Sequence, residues 1–170
     1  MAQGLAESAK LQLDKFVKNI ADTIKQTINA QFMSEIGEEA KRLIFLRTKL
    51  GYGVPFTGAN REKLKGLSAS YIKMRKSSKK LGELSDTTSA SKSNLTFTGQ
   101  LLDSIQVKKS VNGITWIGPR GYRTDGLTNE QVANTVSKQR PFMFLSDLEI
   151  LKVQRFAQNN FTSVFKQRFK

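Results

Sequence analysis

Side chains that could carry chemistry are few in this sequence. It has no histidine and no cysteine, which removes imidazole bases, thiolate nucleophiles and the metal sites that these groups build. A small acidic group remains, formed by Glu35, Glu38 and Glu39. At helical spacing Glu38 faces Arg42 and Glu35 faces Glu39, so intrahelical pairing explains these carboxylates better than acid–base work does. We therefore predict no enzyme, and no catalytic, metal or cofactor site.

The basic residues are the more distinctive feature. The chain of 170 residues has 28 Lys+Arg against 14 Asp+Glu, a net charge of +14. Such a field attracts nucleic acid, an anionic membrane or an acidic protein surface. The run KMRKSSKK predicts contact with DNA phosphates, contact with an acidic face of an adjoining protein, or a solvated surface. Its candidate contact residues are Lys73, Arg75, Lys76, Lys79 and Lys80.

The sequence shows no targeting or membrane signal. The start MAQGLAESAK lacks the basic region and apolar run of a signal peptide. No stretch reaches the roughly 18 consecutive apolar residues of a membrane span. We expect a protein made and kept in a cytoplasm, at least until assembly, with no membrane partner.

The first part of the chain, from about Leu5 to Leu50, has apolar residues three or four positions apart. This spacing predicts a long N-terminal helix, with a break near Gly37. The stripe consists of Leu13, Phe16, Val17, Ile20, Ile24, Ile28, Phe32, Ile36, Ala40, Leu43 and Leu46. It either packs in the core or meets a neighbouring subunit, because a helix of about 30 residues or more outruns the radius of a small domain, about 13 Å.

The segment Gly51–Asn94 changes character. It is rich in Gly, Ser, Lys and Thr, and carries nine Lys/Arg against three Asp/Glu. We predict an irregular basic segment with one short helix around Ser68–Lys76. Irregular segments of this length are unusual in compact domains, so we expect this one to be functional, mobile or ordered by partners.

A β-hairpin follows. Apolar and polar residues alternate over 105–107 and again over 114–116, on either side of Asn112-Gly113. Asn-Gly suits a two-residue turn whose central residues both need a positive φ. We interpret Trp116, next to Ile117, as a core residue, with an interface anchor as the alternative.

The last part is read as a polar loop, Arg120–Lys138, and a C-terminal amphipathic helix. Ser146 and Glu149 form the capping box that begins this helix. The predicted fold class is α+β: a long N-terminal helix, a small antiparallel sheet with a β-hairpin, and the C-terminal helix. We predict one domain with three parts, 1–50, 51–94 and 95–170.

Two short pieces flank the hairpin. In LTFTGQLLDSIQV, Thr98 is a suitable N-cap for about one helical turn over Gly99–Ser104. In QRPFMFLSDLE, Pro141 holds Arg140 extended, and Phe142 with Phe144 and Leu145 packs ahead of the helix cap as a hydrophobic staple. Arg140 either pairs with a carboxylate on a neighbour or hydrogen-bonds carbonyls of its own chain.

Together, these pieces resemble the neck and tail-completion proteins of tailed bacteriophages, which are grouped with the Mu-like virion morphogenesis proteins. The matching residues are Leu95, Thr98, Gly99, Leu101, Ser104, Ile105, Arg140, Pro141, Phe142, Leu145 and Ser146. Upstream, LKGLSASYIKMRK resembles the family's Pro-Leu-Ser…Tyr…Lys segment, with Gly66 in place of the Pro. The resemblance covers residues 50–170. The family often has an aromatic-His-Gln-Gly segment before Arg-Pro-Phe, and this chain has NEQVANTVSKQ there.

The resemblance implies a non-enzymatic structural protein of the virion. Such proteins form the head-tail connector, assembling as rings of six or twelve copies around the channel through which DNA leaves. Their partners are neighbouring connector and tail proteins, with DNA contact in the channel as a further possibility, and they need no cofactor. The expected location is the neck/tail junction of the virion, with the host cytoplasm before assembly.

Two other functions are compatible with the residues. A basic nucleic-acid-binding protein, ribosomal or nucleoid-like, would make the net charge of +14 its main feature. An enzyme would have to act through carboxylates or lysine. Nucleic-acid modules normally show an aromatic platform, a basic recognition helix or a known motif, and we find none in the sequence.

Overall fold

The structure, a computed structural model, describes residues 2–55, 60–80, 88–95, 99–111, 114–123 and 125–168. The helices of this part are α1 (Ala2–Thr27), α2 (Ala30–Lys49), α3 (Ala69–Lys80), α4 (Gln100–Asp103), α5 (Asn129–Ser137) and α6 (Asp147–Arg168). Its strands are β1 (Tyr52–Gly53), β2 (Glu62–Lys63), β3 (Ile105–Val111) and β4 (Ile114–Pro119). The strands form two antiparallel pairs, β1-β2 and β3-β4. The predicted α+β class is confirmed, and no described helix is long and apolar enough to span a membrane.

The N-terminal stripe forms two helices, because the helix is interrupted between Thr27 and Ala30. The side-chain oxygen of Asn29 accepts the backbone N–H of Phe32 at 2.9 Å and so caps α2. The predicted break near Gly37 is wrong, because α2 continues through that residue. A Cβ at Gly37 would lie 2.6 Å from Val107 Cγ1 and 2.8 Å from Thr115 Cγ2. The glycine therefore allows α2 to pack closely on the hairpin.

The register of the hairpin decides which of its faces is buried. Val107 lies opposite Ile117, and Lys108 lies opposite Trp116. Val107 faces α2 and Ile117 packs against the core. Because neighbouring side chains on a strand point to opposite faces, Trp116 points away and is 68% exposed. The interpretation of Trp116 as a core residue is wrong, while the Asn112-Gly113 turn lies outside the described residues.

The segment predicted as a polar loop, Arg120–Lys138, contains helix α5, so that prediction is wrong. The side chain of Thr128 accepts the N–H of Gln131 at 3.1 Å, and the Gln131 side chain accepts the N–H of Thr128 at 2.9 Å. This is a capping box of the same kind as the one predicted for the last helix. It orients α5 so that Ala133 is buried in the core.

The hydrophobic core lies where α2, α4, α5 and the start of β3 meet the segment before α6. Its buried members are Ile44, Leu101, Leu102, Ile105, Ala133 and Phe142. Leu101 and Leu102 turn inward as predicted, because α4 is a single turn that begins after Gly99. The predicted cap, Thr98, lies outside the described residues.

The predicted capping box of α6 is confirmed. The Ser146 N–H donates to Glu149 Oε2 at 2.9 Å, and the Glu149 N–H donates to Ser146 Oγ at 3.4 Å. Ahead of the cap, Phe142 is fully buried, whereas Phe144 is 41% exposed. Of the aromatic residues predicted to pack there, Phe142 is therefore the one that enters the core.

A backbone contact joins β1 to the segment before α6. The N–H of Val54 donates to the carbonyl of Pro141 at 3.1 Å. A Cβ at Gly53 would lie 2.0 Å from that same carbonyl oxygen, so only glycine allows this approach. The contact positions Phe142 and Arg140 relative to the first half of the chain.

Candidate partner-binding surfaces

The three segments quoted for the resemblance meet around one cleft, which we call the motif cleft. Its volume is about 540 Å³. The segments supply most of its lining, namely Lys65, Gly66, Leu67, Ser68, Tyr71 and Arg75, then Leu95, Gly99 and Leu101, and finally Gln139 and Arg140. Ser93, Arg123, and Val132 and Val136 of α5 also line it. Residues that are far apart in the chain therefore build one concave surface.

Arg140 joins two of these segments. Its Nε donates to the carbonyl of Lys65 at 3.2 Å, and its Nη2 donates to the carbonyl of Gly66 at 3.2 Å. Of the two roles left open by the sequence, the contact with carbonyls of its own chain is the one present. Pro141 keeps Arg140 extended, which lets the side chain reach across to residues 65 and 66.

Arg75 lines the cleft but is only 2% exposed. Its Nη1 donates to the carbonyl of Lys92 at 3.0 Å, and its Nη2 donates to the carbonyl of Ser89 at 3.2 Å. Burial lowers the pKa of Arg75 below its usual value. Arg75 was predicted as a contact residue for a partner, and in this structure its hydrogen bonds hold the segment 88–95 of its own chain in place.

That segment is fixed at further points. The Asn94 amide donates to the carbonyl of Lys49 at 3.3 Å, and the Ser93 hydroxyl donates to the carbonyl of Lys65 at 2.6 Å. Leu95, the next residue, has a φ of +58°, a conformation that residues other than glycine rarely adopt. Strained backbone of this kind is often found at functional sites, and here it places Leu95 in the wall of the motif cleft.

The motif cleft is strongly basic. Within the part of the chain that the structure describes, its lining includes Lys65, Arg75, Arg123 and Arg140 and no carboxylate. Arg123 is partly neutralised, since its Nε lies 3.4 Å from a carboxylate oxygen of the exposed Asp125. Sequence reasoning missed Lys65 and Arg123 because each stands outside the basic run, and only the fold brings them beside Arg140.

The basic run itself forms an exposed face of α3. Lys73, Lys76 and Lys79 are exposed, whereas Ser78 is buried. The side chain of Lys80 lies outside the described part of the chain. Residues 73, 76 and 80 lie three or four positions apart and so share one side of the helix. The exposed Lys73, Lys76 and Lys79 therefore remain candidates for contact with a partner.

Large apolar side chains are exposed at the hairpin. Ile114, Trp116 and Tyr122 form what we call the hairpin surface, and Tyr122 is 80% exposed. Trp116 and Tyr122 both line a cleft of about 640 Å³ between the hairpin and α5. Tyr122 was not predicted, because nothing in its local sequence distinguishes it from a loop residue.

A second group of exposed apolar residues lies on α1. Phe16, Val17 and Ile24 form what we call the α1 surface, and Phe16 is 55% exposed. The second half of the same sequence stripe behaves differently, since Ala40 and Leu43 are buried in α2. The stripe thus contributes Ala40 and Leu43 of α2 to the buried interior, whereas its residues Phe16, Val17 and Ile24 of α1 and Leu46 near the end of α2 are exposed.

The acidic group on α2 forms pairs within its helix. Glu38 pairs with Lys41 at 3.2 Å, and Glu39 pairs with Arg42 at 2.6 Å. The hydrogen bond from Arg42 holds the pKa of Glu39 below its usual value. Intrahelical pairing was predicted, although the partners lie three positions apart rather than four. Among the described residues, no group of three acidic side chains could hold a metal ion.

Comparisons with family models, curated proteins and solved structures found no match for this chain.

Proposed function

We propose that the chain is a structural virion protein of a tailed bacteriophage, a subunit of the head-tail connector ring that joins the capsid portal complex to the tail around the DNA channel. The sequence resemblance suggests this role. Six or twelve copies would form the ring, located at the neck/tail junction after assembly in the host cytoplasm. Its partners would be neighbouring connector and tail proteins.

The observation that carries the proposal is the exposure of large apolar side chains on two different elements. A closed ring of identical subunits uses head-to-tail contacts, in which two different surfaces of the chain meet. The hairpin surface and the α1 surface provide two such surfaces. Contiguous exposed apolar patches mark interaction sites, and Trp and Tyr are enriched among the residues that dominate interface energy.

The proposal can be tested on phage particles. Capsids from a phage with this gene disrupted should lack tails, and adding the purified chain should allow tails to join. Cryo-electron microscopy of the completed particles should then locate the chain as a ring at the neck. Completed particles that lack the chain, or tailed particles formed without it, would rule out the proposal.

Trp116 allows a sharper test of the ring contact. Trp116→Thr should change the free energy of unfolding by less than about 0.5 kcal/mol, as is usual for exposed positions. The same variant should reduce tail joining about tenfold or more, since truncating a Trp at the centre of an interface often costs 2 kcal/mol or more. Urea denaturation and counts of tailed particles provide the two measurements.

Leu50→Ser is the matched control for this variant, because Leu50 is also exposed but belongs to neither surface. It should support normal tail joining. If Trp116→Thr and Leu50→Ser support tail joining equally well, the hairpin surface is not part of the ring contact.

A second candidate function, nucleic-acid binding, is favoured by one observation, the exposed lysines on α3. If this is the main activity, log affinity for duplex DNA should fall linearly with log salt concentration, with a slope that reports the phosphates neutralised. Charge reversal of Lys73, Lys76 and Lys79 should then flatten the slope by about one per lysine in contact with phosphate. A chain whose main activity is nucleic-acid binding would not be found as a ring at the neck of completed particles.

A further inference from the structure

We propose that the motif cleft is a docking site for an acidic segment of a partner protein, in which carboxylates stand next to an aliphatic or aromatic side chain. This inference goes beyond the proposed function, since such a site would bind its partner whether or not the chain forms a ring. It rests on the charge, the walls and the accessibility of the cleft.

The charge of the cleft selects an acidic ligand. Among the described residues, four basic ones line it and no carboxylate does. Of the acids nearby, Asp125 is paired with Arg123, and Asp103 Oδ2 would lie 2.9 Å from a Cβ at Gly99, a residue of the lining. The Arg140 side chain is only half-buried, and its contacts with residues 65 and 66 use two of the five N–H donors of a guanidinium. A carboxylate entering the cleft would therefore meet preorganised donors and a positive field.

The walls of the cleft favour a peptide over nucleic acid. Aliphatic side chains of Leu67, Leu95, Val132 and Val136 line it beside the basic residues, and all are half-buried. A sugar-phosphate backbone has no apolar side chain to cover these surfaces. An acidic segment with a neighbouring Leu or Phe satisfies both the charged and the apolar parts of the lining.

The overall charge favours a different protein over a second copy of this chain. With 28 Lys+Arg against 14 Asp+Glu, a net charge of +14, a second copy offers this basic cleft two basic side chains for every acidic one. An acidic partner is attracted by the same field, which speeds its association. A copy of this chain would also have to present a carboxylate-rich segment. Of the acidic group on α2, Glu38 and Glu39 are already paired with Lys41 and Arg42, and Glu35 accepts a hydrogen bond from Gln31 Nε2 at 3.1 Å.

Gly66 is a position at which a substitution can change the charge of the cleft without disturbing the fold. It lines the cleft, and a Cβ built on it would have no atom within 4 Å. Gly66→Glu should thus place a carboxylate in the cleft without a clash. Gly118→Glu is the matched control, because a Cβ at Gly118 also meets no atom within 4 Å and Gly118 lies outside the motif cleft. Both variants change the net charge equally.

The probe is a short fluorescein-labelled peptide of alternating Glu and Leu, with fluorescence anisotropy measured on the full chain. We expect saturable binding to the unchanged protein and to Gly118→Glu, and binding weaker by about tenfold or more to Gly66→Glu, since like charges repel in the site. A peptide with Gln for Glu, and one with Ser for Leu, should each bind about tenfold more weakly. Thermal melting of both variants shows that they fold.

Four results would overturn the proposal. The first is equal affinity of the two glycine variants for the peptide. The second is undiminished binding of the Gln or the Ser peptide. The third is competition between duplex DNA and the peptide that is lost in Gly66→Glu and kept in Gly118→Glu. This result would show that the cleft binds phosphate. Self-association that is lost in Gly66→Glu alone would assign the cleft to a second copy. Normal tail joining by Gly66→Glu leaves the ring proposal intact.

Discussion

Replacing Phe142 by Ala is expected to lower the free energy of unfolding by about 3–5 kcal/mol. Phe142 is fully buried and contributes to the core cluster with residues of α2, α4 and α5. The cost of such a cavity depends on how far the surroundings can collapse into it. The backbone around Phe142 is not free to move into the cavity, because two hydrogen bonds fix it. The Phe142 carbonyl accepts from Arg47 Nη2 at 2.6 Å, and the Pro141 carbonyl accepts from the Val54 N–H at 3.1 Å.

Urea denaturation followed by circular dichroism measures this loss. Phe144→Ala is the control, since it removes the same ring from a partly exposed position two residues away, and it should cost clearly less. In the proposed virion role, Phe142→Ala should also give tailless particles. Equal losses for the two variants would show that Phe142 does not anchor the core.

The second large effect is expected at the buried pair Arg47 and Glu149. Glu149 Oε2 accepts from Arg47 Nη1, from the Ser146 N–H at 2.9 Å and from Ser146 Oγ at 3.0 Å. Burial lowers the pKa of Arg47, and the charge of Glu149 opposes that shift. Glu149→Leu leaves the guanidinium buried without its counter-charge, so it should cost about 3–5 kcal/mol.

The double variant Arg47→Met with Glu149→Leu should recover much of that loss, because apolar residues can replace a buried ion pair without leaving a buried charge. Chemical denaturation of the two single variants and the double variant closes the cycle. Glu38→Ala, which breaks an exposed pair with Lys41, should cost no more than about 1 kcal/mol. Additive losses at Arg47 and Glu149 would contradict direct coupling.

Local sequence signals predicted the parts of this fold that local chemistry decides. The Ser146 and Glu149 capping box and the inward turn of Leu101 and Leu102 depend on neighbours in the chain. The capping box of Thr128 and Gln131 is an equally local signal. The polar residues around it favoured a loop, so α5 was not predicted. Asn29 is likewise a residue that often caps helices. The break was instead predicted near Gly37, because glycine weakens helices.

The features that could not be predicted from the sequence depend on contacts between residues that are far apart in the chain. The exposure of Trp116 follows from the hairpin register, and α2 selects the buried face through its close approach at Gly37. Arg75 can be buried because the carbonyls of Ser89 and Lys92 accept hydrogen bonds from its guanidinium. The motif cleft likewise needs the fold, since charge counting along the chain does not bring Lys65, Arg123 and Arg140 together.

The Arg47 side chain also constrains when the protein can fold. It bonds Glu149, 102 positions later, and the carbonyl of Phe142, 95 positions later. During synthesis, α2 therefore leaves the ribosome long before Phe142 and Glu149 exist, and the part of α2 that meets them is open to chaperones or to aggregation until those residues emerge. Contacts this far apart in sequence also slow folding. Core formation is thus a late event of translation, and a nascent chain truncated before Phe142 cannot complete it.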